Sequence, residues 1–434
     1  MKKLYIILGM VICFAACESD LDQFPTNIAS SDSLDDYAGV LNAAYFYQLG
    51  SATPMAVMGD FRADNGVMEE EPYPAFDRFD GDLVDMEDQF FGPFYTAMYK
   101  SILSANNVVE NSSSANEVGQ AQFLRALSYF KLVRVFGDVP VNLSATPSTT
   151  DNSILARQPV SQVYSTVIIP DLENAISNLD NSGLSNGRAS KIAAQALLGK
   201  VYVQLGDFGN AETQLAAVVN GASVVGVSLQ ANFADIFGMM NDLNSEIIYA
   251  TQISSSISDE YGFSEFWSWS GGLDTKSLMP LDPDLILAFD ASPGDLRRAV
   301  TINEELMASP KFPQSGGPDH DWIELRLGGI ILLYAEALNE NGNTNGALTE
   351  LNKIRTRAGL DGSTAATQAE IRQAIQDERR LEMAFEGQRW FDLVRTGTVD
   401  QEMGQSVGAQ YHLFPIPISE ILASFGVITQ NAGY

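Results

Sequence analysis

Three groups of side chains in this sequence are spaced so that they could do chemistry. The first is an aromatic knot, Tyr261-Gly-Phe263-Ser-Glu-Phe266-Trp267-Ser-Trp269-Ser-Gly-Gly, with five aromatics in nine residues interleaved with Ser and Gly. That pattern makes no apolar helix face. It suits a loop that offers ring faces, on which the flat C–H faces of sugars dock while their hydroxyls seek Asp, Asn and Arg. Trp267 and Trp269 are two apart, so on an extended chain they point opposite ways. One packs inward and at least one faces a ligand. The second group is Glu378, Arg379, Arg380, Glu382, Glu386, Arg389, Asp392 and Arg395. Their i, i+3 and i+4 spacing resembles a catalytic carboxylate pair only superficially. The reading here is an ion-pair network with Trp390 and Phe391 as core, which Arg's planar fork suits better than Lys. The third group, Asp77, Asp80, Asp82 and Asp85, offers hard carboxylates that could hold Ca²⁺. Its spacing is not that of an EF-hand, and a solvated acidic loop is the alternative.

Composition excludes more than it suggests. The chain has 434 residues, 25 Lys+Arg against 55 Asp+Glu and a formal charge of −30. Phosphate backbones and anionic lipid headgroups both need Lys and Arg, so nucleic acid and an electrostatic hold on lipid are excluded. With Cys13 and Cys17 both in the first 17 residues, no disulfide framework or thiolate metal cluster belongs to the folded part. The two histidines, His320 and His412, are not near a Gly-x-Ser-x-Gly elbow, so no nucleophilic triad is expected. Among 55 acids, no glycosidase pair can be singled out. No cofactor is expected, and no enzyme activity.

The elements that must position these groups are mostly helical. Residues 1–16 read as a lipoprotein signal peptide: Lys2 and Lys3, an apolar stretch over 4–14, then Ala15-Ala16-Cys17, which makes Cys17 a lipidated N-terminus. A tether follows over 17–34. Helical spacing places helices over 35–48, 91–110, 118–136 and 160–179, with a loop region over 51–90 carrying Asp60, Arg62 and Asp64. At 188–220, Leu198, Gly199 and Tyr202 precede a Gly206-Asp207 turn, and Ala211 and Leu215 follow it. These offsets match a tetratricopeptide (TPR) helix–turn–helix, and a second copy lies at 330–358 around Gly342-Asn343 and Ala347. The fold class is therefore mostly α: a TPR-like scaffold with a loop-rich insertion carrying short strands. The organisation is an N-terminal helical part over 35–220, the insertion over 221–322 with a β-like run at 247–251, and a C-terminal helical part over 323–434.

Several runs together resemble one family. FLRALSYFKLVRVFGDVPV (123–141), RQPVSQVYSTVIIPDLENAISNL (157–179), IELRLGGIILLYAEALNENG (323–342), DERRLEMAFEGQRWFDLVRTG (377–397) and FPIPISEI with the terminal ITQNAGY are similar to successive blocks of the SusD/RagB nutrient-binding lipoproteins. Gly328-Gly329 departs from the pattern, as does Phe94-Tyr95 where relatives often carry Trp. The resemblance implies a TPR-like fold, an outer-membrane lipoprotein exposed at the cell surface, and a partner transporter of the TonB-dependent SusC type. It also implies an oligosaccharide ligand, with peptides or other nutrients as the alternative, and a second wall of the site in the loop ahead of the second helix. Here that wall is Asp60, Arg62, Asp64 and Asn65, with Phe90 nearby. Facing it are Trp267, Trp269, Tyr261 and Phe266, with Trp322 either ligand-facing or core. Cleavage after residue 16 would leave 23 basic against 55 acidic residues, a field that favours neutral sugars over polyanionic ones.

Overall fold

The computed structural model describes residues 37–69, 71–148, 150–238, 240–254, 281–311 and 320–434. Six helices open it: α1 (Ala38–Tyr47), α2 (Gly92–Asn111), α3 (Ala115–Phe136), α4 (Ile169–Asn178), α5 (Lys191–Leu205) and α6 (Phe208–Gly221). Ser114 starts α3 by accepting from the Glu117 N–H, which satisfies one of the free donors of the first turn. From Gly119 to Phe136 almost every residue of α3 is buried, because α1, α2 and α4 pack around it. Its enclosed polar side chains have partners there, Arg125 with Asp171 and Lys131 with Glu324. The chain enters α4 through helical turns at Val160–Val163 and Tyr164–Ile168, so the expected helix is present with a widened turn inside it.

The two TPR-like copies are adjacent in space. Gly206 ends α5 at φ +71°, a left-handed conformation that costs glycine little, and Asp207 caps α6 through the Asn210 N–H. Where the two helices cross, a Cβ on Gly199 would lie 2.5 Å from Leu215 Cδ2, which explains the small residue there. Two strands frame the insertion that follows: β3 (Ile247–Thr251) runs antiparallel to β4 (Trp322–Arg326), with Ile247 opposite Arg326 and Thr251 opposite Trp322. A smaller pair, β1 (Val139–Pro140) and β2 (Arg157–Gln158), lies earlier in the chain, and α7 (Pro283–Asp290) lies within the insertion. The β4 strand was not expected from the sequence, which placed 323–434 in the C-terminal helical part.

Beyond β4, α8 (Leu327–Glu340) and α9 (Thr344–Arg357) form the second copy, and α8 packs on α6. Asn341, in the turn of the second copy, donates to the Phe208 carbonyl at 3.0 Å and to Glu212 at 2.6 Å, tying the two copies together. A capping box of Thr367 and Glu370 starts α10 (Gln368–Met383), which covers α8 and α9. Then come α11 (Arg389–Thr396) and α12 (Ile418–Ala423).

Residues 51–90 depart from the expected open loop. They fold into short helical turns at Ala52–Ala56, Val57–Phe61, Ala75–Arg78, Gly81–Met86 and Glu87–Phe91. The reason is burial: the chain from Gln48 to Asn65 is buried throughout, and buried backbone must find its hydrogen bonds locally.

Candidate functional site

The buried stretch before α2 corrects the expected ligand wall. Asp60 is fully enclosed; its carboxylate accepts from the Phe385 N–H (3.1 Å), the Gly387 N–H and Asn65 Nδ2 (2.8 Å). Burial pushes its pKa up to about 7 in spite of those donors. Arg62 donates to the carbonyls of Phe76 (2.7 Å) and Tyr411 (2.9 Å), with its guanidinium over the rings of Phe79, Trp390 and Phe414. Asp64 receives both prongs of Arg389 at 2.7 Å, and Arg380 pairs with it at 3.1 Å. Burial alone would raise the Asp64 carboxyl, but Arg389 and Arg380 hold it below its ordinary value. Asn65 also accepts from Arg380. Trp322 is 2 % exposed and packs against Gly387, where a Cβ would lie 2.9 Å from its ring. Phe90, Phe94 and Tyr95 are buried as well. The C-terminal signature takes up Asp60, Asp64, Asn65 and Trp322, whereas Phe90 packs on Tyr73 and Phe76, and Phe94 and Tyr95 pack on Phe136. Tyr261, Phe266, Trp267 and Trp269, like Cys17, lie outside the described residues.

The signature itself is the expected ion-pair network. Glu382 meets Arg297 (3.0 Å), Arg326 (2.6 Å) and Arg357; Glu386 meets Arg326 (2.7 Å) and Lys311 (2.6 Å); Glu246 on the β3 side also meets Arg326 (3.0 Å). Glu378 joins Arg297 and Arg355, Asp392 joins Arg379 and Arg395, and Arg395 reaches Glu336 at 2.5 Å. Trp390 and Phe391 are core. Burial works to raise the Glu382 and Asp392 carboxyls, yet the arginines around them hold both well below the usual range. Such permanently ionised, enclosed carboxylates are the opposite of the protonated general acid a glycosidase needs.

The acidic run has a similar local explanation. Asp77 accepts from the Met68 N–H and Asp80 from the Asp82 N–H, while Arg78 pairs with Glu71 and Asp82. Among the described residues, no three Asp, Glu, His or Cys side chains gather as a metal site. His320 is buried, and His412 packs edge-on against the Trp390 ring.

An open cavity free of acids lies elsewhere, where α1, the turn before α5 and the end of β3 meet. A cavity of about 220 Å³ is lined there by Asn42, Tyr45, Phe46 and Leu49 of α1, by Gly187 and Arg188, and by Tyr249, Ala250, Thr251 and Gln252. Tyr45 donates to Gln120 Oε1 at 2.8 Å and accepts from the Ala189 N–H at 2.9 Å. Burial pushes its phenol up to about 12, so it stays a donor. The Arg188 guanidinium lies 3.8 Å over the Tyr45 ring, a cation–π contact, while its Nε donates to Gln120 at 3.1 Å. Gly187 sits at φ +64°, and a Cβ there would fall 2.7 Å from the Gln252 amide, so the glycine keeps room for that side chain. Ring, amides, hydroxyl and guanidinium are the groups that hold a polar, flat-faced ligand. Gln252 also stands three residues ahead of the segment that carries the aromatic knot. The sequence reading missed Arg188 and Gln252 because three distant segments build this cavity. No local signal marked Arg188: like the fully paired Arg326, it has no acid at i±3 or i±4.

Comparison with known proteins gives this geometry a context. The SusD family model matches residues 300–412, and the model described as "Starch-binding associating with outer membrane" matches 14–203; together they take in more than half of the chain. "SusD-like protein P2" of Formosa agariphila is 25 % identical, over 100 % of both chains. A SusD-like protein of Bacteroides ovatus is 27 % identical over 91 % of this chain and 82 % of its own. Among solved structures, a "Laminarin binding SusD-like protein" superposes with a TM-score of 0.73 at 25 % identity, covering 92 % of this chain and 99 % of that one.

Proposed function

The chain belongs to the SusD/RagB family, and from that premise we propose that it captures an oligosaccharide at the cell surface and delivers it to a SusC-type TonB-dependent transporter, without catalysis. Lipidation of Cys17 would anchor it to the outer membrane. No helix among the described residues is long and apolar enough to cross a membrane, so the proposed hold on the membrane is the lipid. The aromatics Tyr261, Phe266, Trp267 and Trp269 are proposed to stack on the sugar rings.

The observation that carries this reading is the likeness, over nearly the whole chain, to a structure named for binding laminarin. The cavity beside α1 supports it, since its ring, amide and guanidinium groups match what sugar hydroxyls and C–H faces require. Isothermal titration of the mature chain against a panel of glycans tests it. One or more glycans should bind, Trp267→Ala/Trp269→Ala should weaken that binding by about tenfold or more, and no reducing sugar should be released. Binding to peptides and to no glycan would overturn the ligand class, and release of reducing sugar would overturn the absence of catalysis. Co-purification with a barrel transporter is expected from native membranes.

A further inference from the structure

We propose that the cavity beside α1 is a subsite for a single anionic group on a sugar, a uronate carboxylate or a sulfate ester, held by the Nη pair of Arg188. This rests on the glycan-binding reading and adds a charge requirement to it.

The argument starts from what the other arginines do. In a chain with 55 acids the usual fate of a guanidinium is an ion pair, and twelve of the sixteen arginines, all of them described, make one. Of the other four, Arg62 and Arg157 spend their donors mainly on backbone carbonyls, and Arg134 lies between the rings of Phe130 and Phe391 at 4.3 and 4.5 Å. Arg188 is the fourth, and it stands in an open cavity whose described lining contains no acid.

Its pose is already fixed. Gln120 takes the Nε hydrogen, Tyr45 supports one face of the plane, and no described residue claims either Nη group, which leaves both for a ligand. A guanidinium held in this way offers two parallel N–H donors, the geometry that a carboxylate or sulfate accepts bidentately. Glu324, which accepts from Thr251 Oγ1 of the lining, is paired with Lys131. The cavity is thus a small positive spot on a strongly negative protein. That contrast limits the ligand. A long polyanion would be repelled by the net charge, whereas one acidic sugar in an otherwise neutral chain meets only Arg188. The whole-chain charge and the local guanidinium therefore select together.

The test is isothermal titration of the mature chain against three probes: a neutral oligosaccharide, the same chain with one terminal uronate, and the same chain with one sulfate ester. Wild type should prefer a charged probe by about tenfold, and the preference should shrink on raising salt. Which charged probe binds tighter identifies the anion. Arg188→Met should abolish the preference, weakening the charged probes about tenfold more than the neutral one. Arg188→Lys, which keeps the charge and loses the fork, should retain only part of it, and it serves if the Met variant does not fold. A neutral probe that binds as tightly as both charged ones, or a preference that survives Arg188→Met, would overturn the subsite and leave glycan capture standing. Failure of all three probes, and of every neutral glycan, would overturn glycan capture itself.

Discussion

Arg326 and Arg188 carry the same side chain into opposite circumstances. Arg326 is sealed among Glu246, Glu382 and Glu386, and every donor it has is matched by the protein. Arg188 rests on a tyrosine ring at the edge of a cavity with its outer nitrogens unclaimed by any described residue. The first arrangement fixes how distant segments meet; the second leaves capacity for something that is not the protein. Local sequence gave no measure of this difference, because what separates the two is the company each arginine keeps after folding.

Substitutions can break that contrast from its strong end to its weak one. Glu382→Ala should cost the most, about 3–5 kcal/mol, because it leaves Arg297, Arg326 and Arg357 short of a buried counter-charge. Chemical denaturation measures it, and a loss under 1 kcal/mol would mean that the network is not what holds the C-terminal part. Next comes pH. Burial lifts Asp60 and Asp77 to about 7, above the 3.8 of an exposed aspartate, so the folded state binds more protons than the unfolded one between those values. Stability should therefore fall as pH rises from about 4 to 7, by up to ~1.4 kcal/mol per pH unit for each group, and level off above. Asp77→Asn should flatten its share, read as midpoint shifts in urea across that range. Arg188→Met should cost only about 0.5–1 kcal/mol, the scale of one cation–π contact, while changing ligand preference. Smallest is Arg78→Ala: its pair with Glu71 is exposed on both sides, and thermal melts should move by less than about 0.5 kcal/mol.

Much of the scaffold was legible beforehand. Small residues and turn positions at 198–215 and 342–347 marked both helical pairs, and Gly199 against Leu215 gives the reason. The Arg/Glu spacing at 378–395 marked the network. What stayed hidden was its other half. Asp60 and Asp64 bond to residues more than 300 positions away, and no periodicity in 51–90 encodes a partner at that range. The family resemblance assigned them to a ligand wall, whereas the structure encloses them. The cavity beside α1 was hidden for the same reason.

The docking of residues 60–65 onto 380–389, with Arg62 also reaching Tyr411 and Tyr434, bears on timing as much as on strength. A ribosome delivers residue 60 long before residue 389. The growing chain therefore carries Asp64 without either of its arginines until residues 380 and 389 emerge. Pairings this far apart in sequence form late. Were the chain exported as proposed above, that delay would keep it unfolded until it had crossed the membrane.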